Sequence, residues 1–256
     1  MIPVPSFLYS LYETFLRRQL SSSRHPLHVG LILDGNRRFA LAKGLATLKA
    51  GHAAGSDKVE RFLRWCLDLD IKIVTLYGFS TENFNRSDDE VEELMSIFLS
   101  KFKTLQTAPL INRENVRVKV IGRRDGLSDQ LQQEIKKVES MTKSNENFQL
   151  NIAIGYGGRA EIVDAVKKIG YQIKNDEINI EHIDEDLLSK HLYTEGMPDP
   201  DLIIRTSGEE RLSGFLLWQS AYSELYFTEV FWPAFRKIDF LRAIRVWQQR
   251  DRRFGK

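Results

Sequence analysis

Five short runs rich in aliphatic and β-branched residues, at 27–33, 71–79, 116–121, 148–154 and 202–205, alternate with longer stretches whose apolar residues recur at helical spacing, near 54–68, 88–108, 128–143 and 159–174, with a shorter one near 185–193. A continuous apolar run is what a strand buried on both faces requires, and a helix between two such runs is the crossover that parallel strands need. The alternation therefore predicts an α/β fold, a mostly parallel sheet flanked by helices. A sixth run, Glu224 to Phe227, brings the expected number of strands to six, and 238–250 reads as a C-terminal helix. Ser87 and Glu90 have capping-box spacing, which predicts a helix start at that point.

No repeat, low-complexity tract or linker follows residue 26, and 256 residues suit one large domain, expected over 26–256. Residues 1–25 differ. Phe7, Leu8, Leu11, Tyr12, Phe15, Leu16 and Leu20 repeat at helical spacing, Arg17 and Arg18 follow, and SSSRHP breaks the pattern. This is an amphipathic N-terminal helix and linker, packed on the domain or a partner, or lying in a membrane interface. No apolar run approaches the roughly 18 residues of a membrane span, and no signal-peptide pattern is present. The lone Cys66 excludes an internal disulfide and a cysteine metal cluster, and points to a reducing, cytoplasmic setting. With 37 bases against 35 acids the chain has no overall charge suited to nucleic acid.

The segments that follow the first five runs are polar or glycine-rich and carry arginines: DGNRR, STENFNR, GRRDG, GYGGR and RTSGEER. In a parallel sheet these loops share the carboxyl edge, where open α/β folds bind ligands. Arg38, Arg86, Arg205 and Arg211 offer permanently charged forks for phosphate oxygens, and Gly35, Gly157, Gly158 and Gly208 let backbone N–H groups approach an anion. The ligand expected is a phosphate or diphosphate. Asp34 among these cations suits a hard ion such as Mg²⁺, which binds through one or two carboxylates plus phosphate oxygens and waters. No GxxxxGK[ST] sequence occurs. GYGGRA, residues 155–160, matches the dinucleotide-binding spacing, but Asp176 and Glu177 lie in a polar turn rather than at the end of a second strand, so tight strand-to-helix packing is the better reading. Neither a Ser-His-Asp arrangement nor HExxH is present. Departure of diphosphate from an allylic carbon would need only charge neutralisation and an apolar place for the remaining chain. Val91, Leu94, Met95, Phe98, Leu99, Phe102 and Leu105 form a stripe that is either ordinary core or the wall of such a place.

HVGLILDGNRRFA (28–40), LYGFSTENFNR (76–86), NIAIGYGGR (151–159), DPDLIIRTSGEERLSGFLLWQSAYSELYF (199–227) and RRFG (252–255) resemble the five signature regions of the cis-prenyltransferases, the undecaprenyl and dehydrodolichyl diphosphate synthase family. The resemblance implies one parallel-sheet α/β domain with an elongated hydrophobic tunnel. It also implies Mg²⁺-dependent condensation of isopentenyl diphosphate with an allylic diphosphate (dimethylallyl, geranyl, farnesyl or geranylgeranyl), forming Z double bonds. The expected state is a homodimer, with peripheral membrane contact and no nucleic acid.

By the same resemblance Asp34 binds the metal with substrate diphosphate, and Gly35, Asn36, Arg37, Arg38 and Phe39 line the allylic site with His52 nearby. Ser80, Thr81, Glu82, Phe84 and Arg86 fall at substrate-contacting positions. Asn83 matches a residue assigned as proton acceptor, although a neutral amide is a poor base and diphosphate or water is an equally available acceptor. Arg205, Arg211, Leu212 and Ser213 resemble the isopentenyl diphosphate clamp, Glu224 a second metal-associated acid, and Arg253 a tail residue that reaches the neighbouring subunit. Arg37 and Phe39 replace a Gly and a Trp of many bacterial members, Leu48 with Lys49 beside it stands where an arginine is usual, and Glu210 replaces a histidine. The style is archaeal or eukaryote-like. Three alternatives remain open: a variant that uses another acceptor or joins units irregularly, a partner subunit of a heteromeric synthase, and an RNA-binding protein using the basic tail.

Overall fold

The computed structural model describes residues 6–20 and 24–250. The elements in order are α1 (Ser6–Gln19), β1 (His28–Ile32), α2 (Asn36–Ala42), α3 (Leu48–Leu67), β2 (Ile73–Ser80), α4 (Asp88–Leu105), α5 (Pro109–Arg113), β3 (Val116–Ile121), α6 (Asp129–Met141), β4 (Phe148–Tyr156), α7 (Gly158–Lys174), α8 (Glu185–Ser189), β5 (Leu202–Arg205), β6 (Glu224–Phe227) and α9 (Lys237–Gln249). The six strands form one sheet in the order β3-β4-β2-β1-β5-β6, every pair parallel. From β1 the chain winds first to the β2 side, then crosses to β5 on the other side. The carboxyl end of β1 is thus the switch point at which loops diverge and leave a crevice.

The strands were readable because burial on both faces leaves no room for polar residues: all of β1 and β5 is buried. One face carries Val74, Leu76 and Leu150 against Phe62, Phe102, Ile135 and Phe240 of the helices. The other is closed by Tyr77, Tyr156, Ile203, Phe215 and Leu216, beside which Glu161 of α7 accepts from Gln219.

Helix starts depart from expectation. α3 begins at Leu48 rather than near 54, because Thr47 Oγ1 accepts from the Ala50 N–H at 3.2 Å. α4 begins at Asp88, but not by the expected capping box: the Ser87 side chain makes no cap bond, and Glu90 instead accepts from Arg86 Nη1 at 2.7 Å. A capping box lies seven residues earlier instead, between Ser80 and Asn83, around a short 3-10 turn. α2 and α5 were not foreseen.

The amphipathic N-terminal stretch is α1, and it lies on α9. Leu16 is fully buried, Arg236 Nη1 donates to the Tyr9 hydroxyl at 2.6 Å, and the Arg242 guanidinium sits 5.0 Å over the Tyr12 ring. Phe7, Leu8, Leu11 and Phe15 stay exposed.

Candidate active site

Asp34 stands two residues past the end of β1. The Thr206 hydroxyl fixes its backbone from the end of β5, donating to the Asp34 carbonyl at 2.7 Å and accepting from the Asp34 N–H at 3.0 Å. Gly35 then turns the chain at φ 97°, a left-handed conformation that suits glycine, and its N–H donates to Asp34 Oδ1 at 2.6 Å. The next residue opens α2, so Asn36, Arg37 and Arg38 leave the switch point together. A cavity of about 500 Å³ lies over this edge. Its walls include Asp34, Gly35, Asn36, Arg37, Arg38, His52, Tyr77, Ser80, Asn83, Arg86, Arg205 and Ser213.

Charges in and around the cavity alternate in sign. Arg205 donates to Asp34 Oδ2 at 2.8 Å, Arg38 lies 3.9 Å from the same oxygen and 3.3 Å from Glu209, and Glu209 pairs with Arg211. Arg38 also donates to Ser207 Oγ at 2.6 Å. On the opposite wall Glu90 takes Arg86 at 2.7 Å and Arg37 at 3.5 Å, with His52 Nε2 at 3.8 Å. Burial would raise the Asp34 carboxyl, but the hydrogen bond and charge of Arg205, with the Gly35 N–H and Ser207, hold it below the usual range. Burial and the Arg86 charge lower His52 despite Glu90, so its imidazole is neutral at neutral pH. The arrangement suits an anion with several negative oxygens: four guanidiniums, of Arg37, Arg38, Arg86 and Arg205, line the cavity beside one carboxylate, Asp34, while Glu90 and Glu209 pair with them from just outside its walls.

Not every expected residue reaches it. Phe39, Thr81, Glu82, Phe84, Arg211 and Leu212 are absent from its walls. Phe84 packs edge-on against Phe79 at 4.8 Å, and Leu212 packs with the buried Phe215 cluster, so both serve packing. Arg211 is exposed at the rim, where its carbonyl accepts from Arg205. Glu224 does not line this cavity: it opens β6, aligned with Leu202 and through it with Val29, while Asp34 follows the far end of β1. Five residues of strand rise separate the two, about 16 Å. One chain cannot place both on one ion, and Glu224 pairs with Arg250 instead. Lys49 is exposed and lines neither cavity. Arg253 lies outside the described residues.

A second cavity of about 570 Å³ continues from the first under α3 and α4, sharing Leu33, Asn36, His52, Gly78 and Leu94 with it. Leu63, Leu76, Phe98, Phe102, Leu105, Ala108, Leu150 and Ile152 line it. Four of the seven residues of the expected stripe, Leu94, Phe98, Phe102 and Leu105, thus face a cavity. Ser96 and Ser100, beside that stripe in sequence, are on the exposed side of α4 and do not line the cavity.

Sequence reasoning missed Thr206, Ser207, Tyr77, Glu90 and Glu209. Tyr77 looked like one more apolar residue of a strand, yet its hydroxyl donates to the Ser213 carbonyl at 3.1 Å and ties β2 to the clamp segment. The GYGGRA loop packs there too: the Gly158 N–H donates to the Gly214 carbonyl at 2.9 Å, and a Cβ at 158 would lie 2.5 Å from Leu217 Cβ.

Comparison with known proteins agrees with this geometry. The family described as "Putative undecaprenyl diphosphate synthase" matches residues 32–255. A tritrans,polycis-undecaprenyl-diphosphate synthase (geranylgeranyl-diphosphate specific) of Methanopyrus kandleri is 50% identical over 249 residues, 97% of this chain and 92% of that protein. An isoprenyl transferase of Thermus thermophilus is 51% identical over 97% of this chain and 96% of its own. Among solved structures, lavandulyl diphosphate synthase from Lavandula x intermedia, in complex with dimethylallyl diphosphate, superposes with a TM-score of 0.87 at 34% identity, over 91% of this chain and 99% of that one. The chain belongs to the undecaprenyl diphosphate synthase family of cis-prenyltransferases.

Proposed function

We propose that this chain is a cis-polyprenyl diphosphate synthase that condenses isopentenyl diphosphate with an allylic prenyl diphosphate. The observation that carries this is the continuity of an arginine-lined cavity with an apolar one through Leu33, Asn36, His52, Gly78 and Leu94. A substrate with a diphosphate head and a hydrocarbon tail fits that pair, and the apolar cavity serves as the tunnel for the growing chain. Arg37, Arg38 and Arg86 take the allylic diphosphate, and Arg205, Arg211 and Ser213 take the isopentenyl diphosphate. Geranylgeranyl diphosphate is the primer to try first, given the name of the Methanopyrus relative.

Asp34 fits a Mg²⁺ ion only in company. It is the one carboxylate with a face on the cavity, and no group of three metal-binding side chains occurs among the described residues. Such an ion would take its remaining ligands from diphosphate and water, and would supply charge neutralisation to the leaving group. Glu224 can join it only from a second protomer. A homodimer is favoured by the apolar residues Val163, Val166, Ile183 and Leu217, which remain exposed in one chain. Peripheral membrane contact is favoured by Phe7, Leu8, Leu11 and Phe15 on α1, next to Arg17 and Arg18; among the described residues no helix is long and apolar enough to cross a membrane.

Mass spectrometry of products from labelled isopentenyl diphosphate with dimethylallyl, geranyl, farnesyl and geranylgeranyl diphosphates tests the proposal. A ladder of prenyl diphosphates with Z units is expected. A single irregular product would favour the chemistry named for the lavender relative, and no product with any primer would overturn the reading.

A further inference from the structure

The apolar cavity is not walled evenly. Its exposed lining side chains all lie on the two helices that flank it: Asp57, Glu60, Arg61 and Arg64 on α3, and Thr104 on α4. The remaining walls are sheet and core. These exposed, mostly charged side chains mark where the cavity comes nearest to water, a slot between α3 and α4, and Phe98 and Phe102 of α4 line the same cavity. One ion pair crosses this part of the slot, Lys101 Nζ to Asp57 Oδ1 at 2.6 Å. The neighbouring Arg64–Glu60 pair stays within α3.

We propose that the Lys101–Asp57 pair is a specificity-determining latch that helps to set product length by barring this slot. The inference rests on the proposed synthase activity. A chain that grows from the arginine cavity fills the apolar space toward α4. Once that space is full, the next isoprene unit must either crowd a packed core or push its distal end out between α3 and α4. Leaving by the slot separates the two helices at Lys101 and Asp57 and brings a hydrocarbon past a charged rim. A closed latch therefore favours release of the shorter product, and an open one favours further addition. Because both partners reach water, the latch is weak, and its loss changes the opening equilibrium by no more than about fivefold. That is enough to move a product distribution without altering the first condensation, since neither residue touches the arginine cavity.

The test uses Asp57→Asn, Lys101→Gln and the charge-reversed double variant Asp57→Lys/Lys101→Asp in the full chain. Products are resolved by chain length with labelled isopentenyl diphosphate and the primer that wild type accepts. Each single variant is expected to raise the ratio of every longer product to its predecessor two- to fivefold, with an unchanged single-turnover rate for the first addition. The reversed pair is expected to restore the wild-type distribution. Wild-type distributions in both single variants, or a reversed pair that behaves like the singles, would overturn the latch while leaving the synthase reading intact. A wild-type protein that makes no prenyl product removes both.

Discussion

Arg205 closes β5, Asp34 follows the neighbouring strand β1, and their side chains meet at 2.8 Å at the floor of the cavity. Arg205 is almost wholly buried, whereas Asp34 keeps a face toward the cavity. The pair therefore does two things at once: the carboxylate neutralises a buried guanidinium, and it stays ionised and reachable for a cation. Replacing Asp34 by Ala removes both, leaves Arg205 without its counterion, and should cost stability, about 1–3 kcal/mol after allowance for the solvent near Asp34. Asp34→Asn isolates the charge, because its side-chain oxygen can still accept from the Gly35 N–H. That leaves the amide nitrogen where Oδ2 accepted from Arg205, so this variant should share the stability loss of Asp34→Ala and, assayed where it stays folded, lose at least about 10²-fold in kcat, the typical size for one preorganised group. Near-wild-type turnover by Asp34→Asn at saturating Mg²⁺ would remove Asp34 from the chemistry.

The cavity beneath α4 makes a separate prediction about product length. Leu105 and Ala108 line it and take no part in the arginine-lined cavity, whereas Ser96 and Ser100 are exposed and line neither. Trp at 105 or 108 should shorten the products, since a bulky ring in a filled space costs roughly 1–3 kcal/mol of overpacking for each chain that reaches it. Trp at 96 or 100 should change nothing. Equal distributions from all four variants would mean that the chain grows elsewhere.

How far the sequence spoke for this site depends on what each residue does. β1 and β5 were legible because a doubly buried strand must be apolar, and Asp34 stood out because an acid at the end of such a strand has no packing reason to be there. The order of strands was not legible, since it depends on crossovers that local patterns do not encode. α2 hid because its seven residues include Asn36, Arg37 and Arg38, whose types answer to the cavity rather than to helix periodicity. Glu90 misled for a related reason: its spacing from Ser87 fits a cap, but two arginines beside it, Arg37 and Arg86, compete more strongly for the carboxylate. Phe84 lies inside a signature segment and yet packs on Phe79, so membership of a segment did not decide which way a side chain faces.

Gly55 shows how tightly the two cavities are joined. A Cβ there would stand 2.1 Å from Asn36 Oδ1 and 2.9 Å from Trp232 Cδ1, and Asn36 lines both cavities. Ala should fit the helix but push Asn36 or open the α2–α3 contact. The expected result for Gly55→Ala is a stability loss of about 1–3 kcal/mol, a few degrees in Tm for a chain of this size, together with a raised KM for the allylic substrate. An unchanged Tm by calorimetry would show that α3 shifts without resistance.

The last prediction concerns pH and lies away from the cavity. His28, the first residue of β1, is buried between the Pro198 carbonyl, 2.8 Å from Nδ1, and the Thr75 hydroxyl, 2.7 Å from Nε2, with Asn151 donating to that same hydroxyl at 3.0 Å. Burial lowers its pKa to about 4, against the smaller opposing effects of the Pro198 carbonyl and the Asp201 charge. The folded state thus holds a neutral imidazole, while the unfolded chain binds a proton near pH 6.5. A depressed folded value means that the contribution is whole above about pH 6.5 and is lost progressively as pH falls toward 4. Its full size is roughly 3 kcal/mol, a substantial share of a typical domain's stability. Other groups titrate over the same range, so the comparison that isolates His28 is with His28→Gln, which carries an amide that does not titrate. Urea unfolding at pH 7 and pH 4.5 should show wild type losing more stability on acidification than the variant does, with a gap of about 2 kcal/mol. Parallel losses in the two proteins would mean that His28 is protonated in the fold without cost, and that its two hydrogen bonds rearrange to accept the charge.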